Sequence, residues 1–329
     1  MIRIASFNVK NLADGEGRDL DRIARIINNN HIDIVCLQEV LQEGKILNGI
    51  NIKNAYGQVK AYDRSLISRL SGKWDSEWKM PTIRKENEQF LGGDKRGEGY
   101  AILWRTDNKK LKLPKDKMGN EVRPTIYTNY RPDKIDSELY LIREPLYARF
   151  IIGNRPAELR LISTHIVYGK NKALKDVIDY GAIEMRKKEF YMIAGQIYYR
   201  ISEMYKDINI TSPYTIMMGD YNLNVGSSLP FAVSFDKAGR VDTSGKGFFT
   251  INNLQTEKTT LKSNKPELAN SYDHFSMDER ATEVVVKGSE RVVDAIHKYT
   301  QRCSTEEEQY DIYRKMVSDH LPIIMDVNL

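Results

Sequence analysis

Met217-Met218-Gly219-Asp220-Tyr221-Asn222-Leu223-Asn224 is the stretch on which the reading of this chain turns. An apolar run from Tyr214 to Met218 ends on a glycine, and an aspartate and an asparagine follow two residues apart. Side chains alternate along a strand, so a buried strand delivers Asp220 and Asn222 on the same side of the backbone, at the rim of a sheet. The pattern recurs at other strand ends. Asn8 closes Ile2–Phe7, Glu39 closes Ile32–Leu37, His165 closes Leu159–Thr164, and Asp319-His320 opens Leu321–Val327. Polar groups ending apolar strands from five separate parts of the chain predict one site assembled across a sheet. Its chemistry is oxygen ligands plus two histidines.

The 329 residues suffice for one large domain or two small ones, with a sizeable core. A hydrophobic share of 41% and a charged share of 29% are those of an ordinary globular protein. The net charge of +5 is mildly basic, compatible with an anionic partner but no proof of one, because 45 acids are interspersed with 50 bases. Two cysteines, Cys36 and Cys303, make no disulfide framework, and Cys36 inside Ile34-Val35-Cys36-Leu37 reads as a small buried hydrophobe. Met1-Ile2-Arg3-Ile4 runs straight into strand-like sequence without a signal peptide, and no apolar stretch approaches membrane-spanning length. The expectation is a cytoplasmic protein with no membrane segment.

Strands and helices alternate. Asp19–Asn29 places Leu20, Ile23, Ile26 and Ile27 on one helical face between the first two strands. Residues 42–97 are polar and rich in Gly and Lys, with an aromatic cluster around Trp74 and Trp78; they read as a long surface excursion, part helical. Strands resume at Tyr100–Arg105, Leu146–Ile152 and Leu159–Thr164. The longest helical pattern is Lys172–Lys206, which Gly181 and Gly195 could divide, and its tyrosines (Tyr191, Tyr198, Tyr199, Tyr205) read as packing. Residues 225–270 read as loop and short strands, Glu283–Val286 as a strand, Arg291–Tyr299 as a helix and Ile323–Val327 as the closing strand. Without an internal repeat, a Pro/Ser linker or a low-complexity segment, nothing marks a boundary, and residues 1–329 are expected to form a single domain.

A strand-end glutamate by itself is usually a surface residue. Joined with Asn8, Asp220, Asn222 and Asp319, Glu39 becomes part of an all-oxygen set with no cysteine ligand. Hard oxygen ligands suit Mg²⁺, Mn²⁺ or Ca²⁺, whereas zinc would draw on histidine and thiolate. The two strand-end histidines, His165 and His320, are then free for proton transfer and for hydrogen bonds to a phosphate. Each needs a carboxylate to fix its tautomer, and Asp273 and Glu98 are the candidates. His31, His297 and His274 read as structural.

The series FNVKNL, LQEV, STH, GDYNLN, YDHF and SDHLPI resembles, in order, the motif series of the endonuclease/exonuclease/phosphatase superfamily, and it spans residues 3 to 327. Leu141-Ile142-Arg143-Glu144-Pro145-Leu146 and Gly97-Glu98-Gly99-Tyr100 are similar to segments of its deoxyribonuclease I branch. The resemblance implies an α/β fold, a four-layer α/β/β/α sandwich of two stacked mixed sheets flanked by helices. It implies a divalent-metal-dependent phosphodiester hydrolase, in the first place a DNase I-like endonuclease with DNA as partner. The alternative is a phosphatase or phosphodiesterase acting on lipid or small-molecule phosphate esters.

Carried onto this sequence, the resemblance places Glu39, Asn8, Asp319 and Asp220 around Mg²⁺ or Mn²⁺, with Ca²⁺ as a supporting ion. His165, His320, Asp220, Asp273, Glu98 and Asn222 match catalytic positions. Arg143, Asn222, Asn8 and His320 match phosphate-binding ones. It leaves open whether Asp220 or the His320–Asp273 pair activates the water. The chain departs from the pattern where duplex DNA is read: Leu41 stands where the branch has a minor-groove arginine, and Arg96 stands near its groove-contacting tyrosine, while Lys10 keeps a positive charge.

Overall fold

Residues 1–12, 17–43, 46, 52–53, 59–60, 65–81, 98–130, 141–153, 157–167, 186–203, 212–224, 232–235, 241–242, 248–250, 257–300 and 305–329 are described by a computed structural model of the chain. Strand β1 (Ile2–Leu12) sets the architecture by alternation. Ile2 and Ile4 enter a core between two sheets, while Ala5, Phe7 and Val9 enter a second core under a layer of helices. A strand apolar on both faces must be covered on both faces. Beside β1 runs β2 (Ile34–Val40), parallel and in register from Ile4↔Ile34 to Asn8↔Gln38. Parallel neighbours need a crossover, and α1 (Leu20–Asn29) supplies it. Asp19 caps that helix by accepting from Arg22 N, and Leu20, Ile23, Ala24, Ile26 and Ile27 are its buried face.

The first sheet runs in the order β16 (Arg291–Val292), β17 (Ile323–Val327), β1, β2, β6 (Gly99–Arg105), β5 (Trp74–Lys79). The second runs β13 (Val241–Asp242), β12 (Ala232–Phe235), β14 (Phe248–Thr250), β15 (Asp273–Asp278), β11 (Ser212–Asp220), β10 (Ala157–His165), β9 (Leu146–Ile152), β7 (Leu111–Lys112), with β8 (Thr125–Ile126) also on β9. A separate pair joins β3 (Ile52–Lys53) to β4 (Val59–Lys60). Both large sheets are mixed: β1 and β2 are parallel, as are β10 and β11, and their other pairs are antiparallel. Ile34, Cys36 and Ile102 of the first sheet meet Leu161, Met218 and Phe150 of the second in one core, and Gln38 Nε2 donates across the gap to Ser163 Oγ at 2.9 Å.

Helices cover the outer faces. Against the first sheet lie α1, α4 (Ala295–Tyr299) and α5 (Glu306–Met316), which contribute Ile296, Tyr310 and Tyr313 to the second core. Against the second sheet lies the helical segment 186–203, which passes through a π-helical stretch (Ile193–Tyr198) into α2 (Tyr199–Glu203). The buried Arg160 of β10 donates to Ile201 O at 2.6 Å, and Tyr198 donates its hydroxyl to Thr215 O of β11 at 2.8 Å. The result is the expected α/β/β/α sandwich. No helix among the described residues is long and apolar enough to cross a membrane.

Four expectations need correction or refinement. Trp74 and Trp78 lie on β5, an edge strand of the first sheet, and not in a helical excursion; Trp78 Nε1 donates to Val40 O at 2.9 Å. The Glu283–Val286 segment is a turn after α3 (Glu279–Thr282), with one bridge from Val285 to Val327. Arg291–Tyr299 divides into β16 and α4, because Asp294 caps the helix and stops it from starting earlier. Gly195 sits inside the π-helical stretch, which widens the helix without ending it, while Gly181 and Tyr205 lie outside the described residues.

Candidate active site at the rim of the two sheets

Register does most of the assembly. His165 at the end of β10 stands opposite Asp220 at the end of β11, and Asp220 stands opposite Asp273 at the start of β15. Three neighbouring strands thus set three polar groups in a row. Gly219 makes the approach possible: its φ is +144°, and a Cβ there would lie 1.8 Å from Thr164 O. Asn8 follows Ile2, Ile4 and Ser6 on the inward face of β1, which brings it to the same rim.

Glu39 requires a different device. Simple alternation would send it outward with Val35 and Leu37, into the core under the helices. Instead the β2–β6 register slips between Gln38 and Val40, and Glu39 takes a φ of +59°. This bulge turns the carboxylate back to the rim. Lys10, Asn11 and Asn222 also have positive φ, so four of the five such non-glycine residues among those described sit at this rim. The left-handed region costs an L-residue roughly 1–2 kcal/mol, strain of the kind that collects at functional sites. The fifth, His31, follows the C-cap of α1.

Two groups of ligand atoms result. Those of Glu39, Glu98 and His165 lie within 4.8 Å of one another, as do those of Asp220, Asp273 and His320. Asn8 joins the groups, donating through Nδ2 to Glu39 Oε1 at 2.8 Å and to Asp220 Oδ2 at 3.1 Å. Asn11 N donates to Glu39 Oε2 at 3.1 Å, and Asn222 N donates to Asp220 Oδ1 at 2.8 Å. Both histidines look toward the middle: His165 Nε2 is 3.5 Å and His320 Nε2 is 3.6 Å from Asp220 Oδ2.

Behind each histidine stands the carboxylate that the sequence proposed for it. Asp273 Oδ2 is 2.9 Å from His320 Nδ1, and Glu98 Oε2 is 3.1 Å from His165 Nδ1. Arg143 reaches the same Glu98 oxygen at 2.7 Å and lies 2.9 Å from His165 Nδ1. Nδ1 cannot accept from the guanidinium while donating to Glu98, so the proton assignment follows from charge. Burial and Arg143 both act to lower His165, yet Glu98 and Asp220 outweigh them and hold it above the usual histidine value. That favours Nδ1–H donating to Glu98, with Arg143 ion-paired alongside.

Burial likewise opposes charge on His320, but Asp273 and Asp220 push it up to about 10. His274, fully buried and turned to Leu223 O and Ser271 O through Nε2, goes the other way, to about 4, because burial dominates. It is structural. His297 sits exposed beside Asp294, the cap of α4.

Burial raises the carboxyls of Glu39 and Asp220, only partly offset by the nearby histidines. A buried carboxylate, Asp220, and a half-buried one, Glu39, converge on one amide and form a site that a hard cation would complete, and their donors are all oxygen. These residues therefore fit a divalent ion. Asp319 stands apart from both groups and pairs with the Lys10 ammonium; burial raises it, but His320 and Lys10 together bring it below the usual carboxylate range. Sequence reasoning missed the rim's supports. Tyr100 OH accepts from His165 N at 3.0 Å, Thr259 Oγ1 accepts from Asp273 N at 3.1 Å, and Ser318 Oγ donates to Asn8 O at 2.6 Å. Tyr100 and Ser318 had a signal, their places two residues after Glu98 and directly before Asp319-His320, whereas Thr259 had none.

From His320 and Asn222 a cleft of about 530 Å³ opens along the segment 260–270, past Lys262, Lys265, Asn270 and Tyr272. Lys262 is paired with Glu267, whereas no ion pair holds the Lys265 ammonium among the described residues. Arg96 lies outside the described residues, and Leu41 N donates to Leu12 O at 3.0 Å beside the rim.

Residues 5–242 match the model of the Endonuclease/Exonuclease/phosphatase family. The chain belongs to this family. Its members are metal-dependent phosphoester hydrolases, so the chain is an enzyme of that class. No match was found among curated protein sequences. Among solved structures, the chain is similar to a mannosyl-6-phosphatase of Bacteroides thetaiotaomicron, at 15% identity and a TM-score of 0.52 over 100% of both chains. It is similar to D. rerio TDP2 complexed with single strand DNA product, at 17% identity and a TM-score of 0.52 over 100% of this chain and 99% of that one. An endonuclease/exonuclease/phosphatase from Bacteroides vulgatus matches at 14% identity and a TM-score of 0.53 over 100% of this chain and 98% of the other. At these identities the likeness is one of fold.

Proposed function

We propose that this chain is a DNase I-like endonuclease that hydrolyses phosphodiester bonds in DNA with Mg²⁺ or Mn²⁺, Ca²⁺ acting as a supporting ion. We take residues 1–329 as one domain, since β1 and β17, from opposite ends of the chain, are paired neighbours in the same sheet. The observation that carries the nuclease reading is Arg143. Its guanidinium is 7% exposed, ion-paired to Glu98 and against His165, so it meets the rim as a rigid, oriented fork suited to phosphate oxygens. A surface ion pair would be worth little, but this arginine is buried at the centre of the site.

Glu39 and Asp220, helped by Asn8, would hold the metal, and Asp319 would join them once released by Lys10. When bound, the ion supplies positive charge for a phosphate oxygen and for the leaving oxygen. Arg143, Asn8 and Asn222 would hold and orient the phosphate. His320, kept protonated by Asp273 and Asp220, donates from Nε2 to a phosphoryl oxygen, while His165, fixed by Glu98, donates to the phosphate or the leaving oxygen. Asp220, which stands between the two histidines, would receive the proton of the attacking water. Pre-oriented charge of this kind is the dominant contribution to such catalysis.

The cleft beside His320 supports a chain-like substrate, because Lys265 lies along it beyond the reacting group. The competing reading, a phosphatase or phosphodiesterase on lipid or small phosphate esters, draws on Leu41 in place of an arginine. The test is hydrolysis of supercoiled plasmid, linear duplex, single strand, RNA, a chromogenic diester and a monoester, each with Mg²⁺ and with EDTA. Faster diester and DNA cleavage, with a larger loss on DNA for Arg143→Ala, supports the nuclease. Faster monoester cleavage by the unaltered protein, or equal losses on both, supports the phosphatase.

A further inference from the structure

Two rim loops converge on one turn of helix behind the reacting groups. Arg186 and Glu189 are three residues apart in the helical segment 186–203, on the outer face of the second sheet, and both are buried. Residues at that spacing lie on one face of a helix. Arg186 NH1 donates to Asn222 O at 3.0 Å, holding the loop after β11. Glu189 Oε1 accepts from Ile142 N at 2.9 Å, holding the loop that carries Arg143. The charge of Glu189 also faces the Arg143 guanidinium.

The energetics suggest purpose. Burying a carboxylate is costly, and an apolar side chain would fill the same space more favourably unless the accepting oxygen had work to do. Glu189 is buried, and burial raises its carboxyl despite the Ile142 amide and the arginine. The loop it ties is the place where Arg143 leaves the sandwich. Asn222, tied by Arg186, sits at a positive φ of 50°, a conformation that needs outside support.

We propose that Arg186 and Glu189 are positioning residues for the reaction: a pair on one helical face that clamps the Arg143 and Asn222 loops in a single arrangement. The inference rests on the functional reading above, in that Arg143 and Asn222 must matter to turnover for their placement to matter. Groups that act through a shared geometry are non-additive when removed together, whereas an independent stabilising contact adds.

The experiment is a double-mutant cycle on kcat/KM with the chromogenic diester in Mg²⁺, using Arg143→Ala, Glu189→Ala and the double variant, with Glu189→Gln as the conservative change. Thermal unfolding of each variant allows rates to be compared per folded molecule at a temperature where all are folded. The expected result is a loss of about 10- to 100-fold in kcat for Glu189→Ala, largely recovered in Glu189→Gln, whose amide oxygen still accepts from Ile142 N. Glu189→Ala should add less than threefold once Arg143 is gone. Full additivity, or a lowered melting temperature with unchanged kcat in the folded protein, would overturn the clamp and leave Glu189 a stability residue. If Arg143→Ala itself changes nothing, the functional reading fails instead, and a loss in Glu189→Ala would then have to act elsewhere, which also overturns the clamp. If Glu189→Ala does not fold, Glu189→Asp, which shortens the reach to the Ile142 amide, replaces it in the same cycle.

Discussion

Gly219→Ala puts a methyl group where the structure has no room for one. The Cβ would stand 1.8 Å from Thr164 O, 2.9 Å from Thr164 C and 3.0 Å from Thr164 N, all backbone atoms of the paired strand β10. No rotamer relieves such a clash. The strands must part until 1.8 Å becomes the 3.4 Å of an ordinary contact, or the strand must twist away from a φ of +144°. Overpacking costs about 1–3 kcal/mol and an unfavourable φ about 1–2 kcal/mol, so the expected loss of stability is roughly 2–5 kcal/mol. Gly219 is also the residue before Asp220, whose Oδ2 is 3.5 Å from His165 Nε2, and a shift of this size separates them. A misplacement near 1 Å can cost about 10²-fold in rate. Urea unfolding and diester hydrolysis of the folded variant read the two effects. A variant within about 0.5 kcal/mol of the parent and fully active would refute the β10–β11 register, because substitutions away from special sites do no more than that.

Other perturbations test the site's charges. Asp273→Asn keeps the shape beside His320 but removes the charge, and the lost charge-assisted bond, about 1.5–3 kcal/mol, predicts roughly a 10- to 150-fold fall in kcat/KM with the fold retained by circular dichroism. In EDTA, His320 is raised to about 10 in the folded state, so its contribution to stability is complete below the unfolded histidine pKa of about 6.5 and is lost as pH rises toward 10. His320→Asn should flatten that part of the stability profile, and an unchanged slope would refute the assignment. Lys265→Ala should weaken DNA binding more than it slows a small diester and should reduce the salt slope of binding by about one unit, measured by anisotropy at several salt concentrations.

Much of the rim could be read in the sequence because each of its strands is apolar up to the residue that matters. His165 and Asp220 end strands that are buried along most of their length, Asn8 follows a mostly buried run inside β1, and period-two alternation says which way they point. Glu39 could be placed at a strand end but not aimed, since a bulge with positive φ at a glutamate has no propensity signal. β5 was hidden because Trp-Asp-Ser-Glu-Trp-Lys sits in a polar stretch and pairs only at a sheet edge. α5 was missed for the same kind of reason: of its eleven residues only Tyr310 and Tyr313 are buried, too few to mark a helical face. The Arg186 and Glu189 contacts depend on two loops distant in sequence, which no local pattern encodes. The Lys10–Asp319 pair arises the same way, between the two ends of the chain.

The central claim is that Glu39 and Asp220 form a divalent-metal site serving phosphodiester hydrolysis. Glu39→Gln retains the size of the side chain and removes its charge, so the measurement is Mg²⁺ binding by calorimetry together with plasmid nicking, on folded parent and variant. The account predicts Mg²⁺-dependent nicking by the parent that EDTA abolishes, and in the variant a loss of at least about tenfold in both metal affinity and rate. Nicking by the parent that survives EDTA, or a variant that binds Mg²⁺ and cuts DNA as the parent does, would contradict it.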